Sequence, residues 1–238
     1  MFDSVADRLK DAKKIVFVTG AGISQESGIP TFRGKDGLWR KYDPMKLATI
    51  DAFYHDPKLV WEWYQERRAN ILSASPNDGH VAIADLENHK DVVVVTQNID
   101  GLHKRAGSSK VLELHGNIIR IRCTVCDFID EIKENFKKLP PMCECGNILR
   151  PDVVWFGEPL PQDVLQDAIF HASTCDIMFV AGTSLVVSPA NTIPYYAKQN
   201  NAVLIEVNPE ETIMTHQMDL SLRKSSVQAL PHLISFFK

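Results

Sequence analysis

The sequence has no long apolar run. Its most apolar stretch, residues 177–190, is interrupted by Gly182, Thr183 and Ser184, whereas a membrane-spanning helix needs about 20 predominantly apolar residues. The first fourteen residues, MFDSVADRLKDAKK, contain no apolar core of the kind found in secretory signals. We therefore expect a cytoplasmic protein without a membrane-spanning helix.

Positive charge is not in excess either. The 26 lysines and arginines are outnumbered by 30 acidic residues, which gives a net charge of −4, whereas binding to nucleic acid or anionic membranes generally needs a basic surface. Apolar residues make up 45% and charged residues 24% of the chain, which excludes a disordered or low-complexity protein. The 238 residues fit one large domain, or one domain with a small appendage.

Cysteine is scarce but clustered. Four of the five cysteines fall within 23 residues, as the pairs Cys123 with Cys126 and Cys143 with Cys145. Two close pairs at this separation are typical of a zinc site with four thiolate ligands. Because four thiolates would close the coordination shell, we expect a structural metal rather than a catalytic one. Two disulfides are the alternative, which is uncommon in a cytoplasmic protein.

Four short Val/Ile-rich runs predict buried strands. They are Ile15–Thr19, Val92–Thr96, Ile177–Ala181 and Val203–Val207. Runs of this kind that alternate with helical stretches predict an α/β fold, a Rossmann-like parallel sheet with helices on both faces. Each run ends in glycine or polar sequence (GAGIS, QNIDG, GTS, NPE). Since ligands bind at the carboxyl ends of such strands, we expect a nucleotide site there.

The loop after the first run contains two closely spaced glycines, Gly20 and Gly22. Glycines at this position let the backbone approach a pyrophosphate. The standard dinucleotide motif would have a third glycine at Gln25, and no acidic residue for the ribose follows a second strand. An ordinary strand-to-helix turn therefore remains an alternative for this loop, and a hydride-transferring dehydrogenase is not indicated.

Seven segments together resemble the sirtuin family of NAD-dependent protein-lysine deacylases. They are GAGISQESGIPTFRG (20–34), TQNIDGLH (96–103), ELHG (113–116), the two cysteine pairs, VVWFGE (153–158), GTSLVVSPA (182–190) and EVN (206–208). They occur in the family's order and span nearly the whole chain. The Cys143–Cys145 pair, with one intervening residue, departs from the commoner family spacing.

The resemblance implies two domains with a cleft between them. Residues 1–34, 76–118 and 150–238 would form a Rossmann-like NAD-binding domain. A smaller domain would combine a helical module (35–75) with a zinc ribbon (119–149). NAD, consumed as a co-substrate, and an acylated lysine of a protein substrate would meet in the cleft, and one structural zinc ion would be held by Cys123, Cys126, Cys143 and Cys145.

The resemblance also implies residue roles. The expected NAD-binding residues are Gly20, Ala21, Gly22, Ile23, Phe32, Arg33, Gln97, Asn98, Ile99, Asp100, Gly182, Thr183, Ser184, Asn208 and Ser226. The substrate peptide would pair as an added strand with the backbone of Val154, Trp155, Phe156 and Gly157.

Catalysis is expected to depend on His115, Asn98 and Asp100. In the family's reaction the acyl oxygen attacks C1′ of the NAD ribose as nicotinamide leaves. A ribose hydroxyl then attacks the imidate, which yields O-acyl-ADP-ribose and free lysine. His115 would be the base for that hydroxyl, since the ordinary histidine pKa of about 6.5 suits a base near neutral pH.

The helical pattern of residues 56–72 places Tyr64 and Arg67 on one face, because residues three apart are neighbours on a helix. A guanidinium beside a phenol is a good receptor for a carboxylate. The pair resembles the Tyr-x-x-Arg signature of sirtuins that remove malonyl and succinyl groups, and Ala48 matches the small residue of that class. We therefore expect both deacetylation and desuccinylation. A packed tyrosine with a surface arginine paired to nearby acids is the alternative.

Two other functions are alternatives to deacylation. A sirtuin-like ADP-ribosyltransferase would cleave the same NAD bond and modify a protein. A non-catalytic nucleic-acid-binding protein would use the cysteine ribbon as its reader. In the ribbon, however, Arg120 and Arg122 are balanced by acids such as Asp127 and Asp130, so no direct nucleic-acid binding is expected.

Overall fold

The computed structural model describes residues 8–32 and 37–237. Its strands form one six-stranded and one three-stranded sheet within those ranges. The strands are β1 (Lys14–Thr19), β2 (Asp91–Thr96), β3 (Val111–Glu113), β4 (Gly116–Cys123), β5 (Ile129–Glu131), β6 (Leu149–Val153), β7 (Ile177–Ala181), β8 (Val203–Val207) and β9 (Leu220–Leu222).

The six-stranded sheet is parallel, with the order β3-β2-β1-β7-β8-β9. Its four central strands are the four predicted runs, and the expectation of a parallel α/β sheet is confirmed. The edge strands β3 and β9 were not predicted, because each has only three residues and neither is a continuous buried run.

Helices connect these strands. They are α1 (Leu38–Lys41), α2 (Pro44–Leu47), α3 (Ile50–His55), α4 (Pro57–Ser73), α5 (Asp78–Leu86), α6 (Leu102–Arg105), α7 (Gln162–Ser173), α8 (Ile193–Gln199) and α9 (Ser226–Ser235), with 3₁₀ turns at Ala21–Ser27, Ala190–Thr192 and Thr215–Gln217. Among the described residues, no helix combines the length and apolar character that crossing a bilayer requires.

The sheet buries a separate apolar layer on each face. One layer contains Phe17 and Phe179, whose rings stack at 4.8 Å, and is covered by α5 and α9. The other contains Val16 and Met178 and is covered by α7 and α8. The central strands are apolar at successive positions because both of their faces are covered.

The inserted segments pack together as a smaller unit. The antiparallel sheet, with the order β5-β4-β6, shares a third apolar cluster with helices α2 to α4. The fully buried Trp61 of α4 donates from Nε1 to the Leu149 carbonyl of β6 at 2.8 Å. β4 and β6 include residues on both sides of the expected boundaries at 118 and 150, and the division into domains stays a prediction.

The loops after β1 and β7 touch through their backbones. Gly22 N–H donates to the Gly182 carbonyl at 2.8 Å. Gly182 has φ +61, and a Cβ there would lie 2.4 Å from the Ile23 nitrogen. A side chain at Gly182 would therefore separate the two loops, which meet at the carboxyl edge of the sheet.

Candidate active site

A cavity of about 850 Å³ lies at the carboxyl edge of the parallel sheet and is shared with the smaller unit. This size is within the range of small-molecule and cofactor sites, about 300–1,000 Å³. The predicted site residues that line it are Gly20, Ala21, Gly22, Phe32, Ala48, Tyr64, Arg67, Gln97, Asn98, Ile99, His115, Val154, Trp155, Phe156, Gly157, Gly182, Thr183, Ser184, Asn208 and Ser226. The fold thus gathers side chains from both units around one space.

Two predicted NAD-binding residues in the described part of the chain, Ile23 and Asp100, are not part of this lining. Ile23 is fully buried in the apolar layer under α5 and α9. Asp100 is 4% exposed and lies behind the cavity wall. Arg33 lies outside the described residues.

Asp100 connects two loops of the site. Its carboxylate accepts hydrogen bonds from Ser24 Oγ at 2.7 Å and from the Leu102 N–H at 2.9 Å. Burial raises the pKa of Asp100, and the two hydrogen bonds oppose that rise. The geometry places Asp100 where it fixes the turn after β1 against the loop after β2.

Asn98 links the same loops from the cavity side. Its side-chain amide donates to the Gly20 carbonyl at 3.1 Å and to Ser24 Oγ at 3.2 Å. Its backbone N–H donates to Thr96 Oγ1 at 3.0 Å. Asn98 therefore holds the glycine loop in place while it lines the cavity.

His115 follows β3 and lines the cavity. One of its two ring nitrogens forms a hydrogen bond within the protein. Nδ1 lies 2.9 Å from the Gln97 carbonyl oxygen, which can only accept a hydrogen bond. The hydrogen is therefore on Nδ1, and Nε2 keeps its lone pair in the neutral ring. Burial lowers the pKa of His115 below 6.5, with the Gln97 contact opposing it. The ring is thus an available base at neutral pH.

Tyr64 and Arg67 lie side by side on α4 and both line the cavity. The Arg67 guanidinium is 4.8 Å from the ring of Phe32 and 4.5 Å from that of Trp63. Across residues 8–32 and 37–237, no carboxylate forms an ion pair with Arg67. Burial lowers the pKa of Arg67, but a guanidinium stays charged in a protein. A cation that lines a cavity and has no ion pair among the described residues can bind an anionic ligand.

Ala48 lies at the join between α2 and the loop after β6. Its carbonyl accepts a hydrogen bond from the Phe156 N–H at 2.9 Å, and the next residue, Thr49, forms a parallel bridge with Phe156. This contact brings the methyl side chain of Ala48 to the same wall as Tyr64.

The four clustered cysteines form a separate site. Their Sγ atoms all lie within 4.8 Å of one another, and the cysteines are free thiols rather than disulfides. The pair with one intervening residue is accommodated by a turn in which Gly146, with φ +87, donates to the Cys143 carbonyl. Four soft sulfur donors at this spacing fit one tetrahedral Zn²⁺. None of them lines the cavity, so the site is structural.

Thirteen lining residues were not named individually from the sequence, although three of them, Gln25, Glu26 and Thr31, lie in the segment 20–33 that was expected to contact NAD. The thirteen are Gln25, Glu26, Thr31, Trp39, Val153, Glu158, Leu160, Val187, Ser188, Pro189, Pro209, Glu210 and Ser225. Most fall inside or beside the quoted motifs, so the motifs themselves were the signal. Trp39, Leu160 and Ser225 belong to none; Trp39 reaches the cavity by packing 5.2 Å from Phe32 and 6.0 Å from Phe156, ring to ring.

Comparisons with known proteins agree with this fold and cavity. Residues 20–189 match the model of the Sir2 family. The chain is 50% identical to the NAD-dependent protein deacylase 1 of Caldanaerobacter subterraneus subsp. tengcongensis, over 95% of each chain.

Solved structures show the same similarity. A Sir2 homologue in complex with NAD is 45% identical, with a TM-score of 0.93 over 100% of this chain and 94% of that one. A Sir2 complex with a p53 peptide and NAD⁺ is 37% identical, with a TM-score of 0.88 over 99% and 98%. Because the family model spans more than half of the chain and these relatives cover nearly all of it, the chain belongs to the Sir2 family.

Proposed function

We propose that this protein is an NAD-dependent protein-lysine deacylase that removes acidic acyl groups, such as succinyl and malonyl, as well as acetyl. The observation that carries the proposal is that one cavity is lined by the glycine loop, His115 and Arg67, which forms no ion pair with any described residue. The name of the 50% identical relative, a deacylase that depends on NAD, supports the same chemistry.

The NAD would lie across the carboxyl ends of β1, β2, β7 and β8. The loops there are tied to one another: Gln97 Nε2 donates to Thr183 Oγ1 at 2.9 Å, and Asn208 Nδ2 donates to the Thr183 carbonyl at 3.2 Å. Gly20 and Gly22 leave backbone room for the phosphates. The adenosine end would reach Asn208 and Ser226.

The peptide would pair with the segment Val154–Gly157. Three of its N–H groups already donate within the protein: Val154 to the His115 carbonyl at 3.0 Å, Trp155 to Glu158 Oε2 at 2.7 Å and Phe156 to the Ala48 carbonyl at 2.9 Å. An added strand would therefore use other backbone groups of this segment, such as the Gly157 N–H. This arrangement ties the peptide wall directly to His115 on one side and to Ala48 on the other.

His115 would act as the base. NAD supplies the electrophilic ribose carbon and the hydroxyl that takes the acyl group. The hydroxyl proton would move to Nε2 of His115, while Nδ1–H keeps donating to the Gln97 carbonyl and steadies the imidazolium. Asp100 would act as a positioning residue, through Ser24 and the backbone of Leu102.

Arg67 and Tyr64 would bind the carboxylate of an acidic acyl group. An acetyl group, which has no carboxylate, would use neither contact. A hydrogen bond to a charged group contributes about 1.5–3 kcal/mol, so Arg67→Met should lower kcat/KM for a succinyl-lysine peptide by roughly 10- to 100-fold. The loss for the matching acetyl-lysine peptide should be much smaller.

The assay is a panel of acetyl-, malonyl- and succinyl-lysine peptides, with and without NAD, followed by mass spectrometry. Arg68→Met is the matched control, because the neighbouring arginine donates to the Ile132 carbonyl and does not line the cavity. Equal losses on acetyl and succinyl peptides in Arg67→Met would contradict carboxylate recognition. NAD-derived label on protein, without deacylation, would favour an ADP-ribosyltransferase instead.

A further inference from the structure

The hydroxyl of Tyr64 receives a hydrogen bond that fixes its direction. Nε1 of Trp155 lies 2.9 Å from Tyr64 Oη, and both groups are buried. An indole nitrogen can only donate, so the tyrosine oxygen is the acceptor in this pair. The phenolic hydrogen must therefore point away from Trp155.

The phenolic hydrogen has no acceptor within the described part of the chain. Among residues 8–32 and 37–237, Tyr64 Oη forms no hydrogen bond other than the one from Trp155. Burial raises the pKa of Tyr64 above its ordinary value of 10, so the hydroxyl keeps its hydrogen. Since Tyr64 lines the cavity beside Arg67, the cavity is where an acceptor for this hydrogen can sit.

Both the backbone and the indole ring of Trp155 contact neighbouring charged residues. Its backbone N–H donates to Glu158 Oε2 at 2.7 Å. Arg150 pairs with Glu158 through two hydrogen bonds, of 2.6 and 2.8 Å, and its guanidinium lies 3.6 Å from the Trp155 ring centre. A cation over the face of the indole withdraws electron density, which strengthens the N–H as a donor.

We propose that Trp155 is a specificity-determining residue, whose indole N–H occupies the acceptor side of the Tyr64 hydroxyl and directs the phenolic hydrogen to the carboxylate of an acidic acyl group. This inference rests on the proposed function, because it assigns a second donor to the same carboxylate that Arg67 binds. A neutral acyl group offers no carboxylate to this hydrogen. Trp155 therefore acts through Tyr64 and contributes to the choice of acyl group.

Trp155→Phe tests the proposal, since it removes the N–H and keeps an aromatic ring. The measured quantity is the ratio of kcat/KM for a succinyl-lysine peptide to that for a butyryl-lysine peptide, which has the same number of acyl carbons and no charge. We expect the ratio to fall about tenfold, as for partial loss of a charge-assisted hydrogen bond. A ratio within twofold of wild type would overturn the proposal.

Trp61→Phe is the matched control. It removes a buried indole N–H that donates to Leu149 and is remote from Tyr64, so the succinyl-to-butyryl ratio should stay that of wild type. If Trp155→Phe does not fold, 3-benzothienylalanine at position 155 replaces it, because sulfur stands in for the N–H in a ring of the same shape. The same ratio and the same threshold apply.

A double-mutant cycle separates orientation from packing. In a Tyr64→Phe background, Trp155→Phe should cause no further change in the ratio, since the hydroxyl it orients is gone. An additive effect in the double variant would show that Trp155 acts by another route and would overturn the proposal. If Arg67→Met also leaves the ratio unchanged, the proposed carboxylate site itself fails; if only Trp155→Phe leaves it unchanged, this inference alone fails.

Discussion

Acid should destabilise this protein through a buried histidine of the site's supporting layer. His80 is fully buried at the third position of α5, where Nδ1 lies 3.1 Å from Asn77 Oδ1. Burial lowers the pKa of His80 from 6.5 to about 4. Below pH 6.5 the unfolded chain therefore binds a proton that the folded protein does not bind until about pH 4. Lowering the pH through this interval favours unfolding.

The magnitude follows from the two pKa values. The difference between 6.5 in the unfolded chain and about 4 in the folded protein corresponds to a loss of about 3 kcal/mol in the low-pH limit. About 2 kcal/mol of this should be lost between pH 7 and pH 5. His80→Gln removes the titrating group, and glutamine at this helix position can still bond back to the backbone N–H of the Asn77 cap.

The assay is urea unfolding of wild type and His80→Gln at pH 7, 6 and 5, with tryptophan fluorescence as the probe of unfolding. The free energy of unfolding of wild type should fall by about 2 kcal/mol more than that of the variant over this interval. Protonation of the cysteine cluster affects both proteins and cancels in the comparison. His89→Gln, at an exposed position, shows the effect of removing a surface imidazole. Parallel pH curves for wild type and His80→Gln would refute the reasoning.

Three further predictions concern His115 and the metal. His115→Ala should keep the circular dichroism spectrum and the metal content of wild type but lose deacylation by about 10²- to 10⁴-fold; wild-type-like turnover would remove His115 from the role of base. In the wild type, the acid limb of kcat/KM should have its midpoint below pH 6.5, because the neutral ring is the active form and burial lowers its pKa. Elemental analysis should find one zinc per chain, lost in Cys126→Ser together with a lower Tm; an unchanged zinc content in that variant would contradict the four-thiolate site.

The central strands could be predicted because burial on both faces leaves a local signature. β1, β2, β7 and β8 are apolar at nearly every position. Within the helical insertion, the helical pattern over residues 56–72 is confirmed by α4 (Pro57–Ser73), whereas the shorter helices before it were not predicted individually. The described residues of the insertion divide into four helices, and the three breaks between them have local signals: Asp43, Thr49 and Asp56 each accept a hydrogen bond from the first turn that follows.

Site residues that belong to sequence motifs could be predicted. Whether each side chain faces the cavity depends on packing, which the motifs do not show. Asp100 and Ile23 belong to matching motifs, yet both side chains turn away from the cavity. The Asp100 carboxylate instead accepts hydrogen bonds from Ser24 and from the Leu102 backbone. Ile23 packs in the apolar layer under α5. Trp39 is held in the wall by contacts that include residues distant in sequence, Trp63 and Phe156. A linear motif identifies neighbours along the chain and cannot say which way each side chain faces.

We propose that one cavity brings the ribose of NAD to the acyl group of a modified lysine. The most direct measurement uses a peptide whose succinyl-lysine carries ¹³C in the acyl group, incubated with the protein and NAD and analysed by mass spectrometry. We expect the labelled succinyl group to appear on ADP-ribose, with nicotinamide and unmodified peptide formed in equal amounts. Labelled free succinate formed without NAD consumption, or ADP-ribose attached to protein while the peptide stays succinylated, would contradict it.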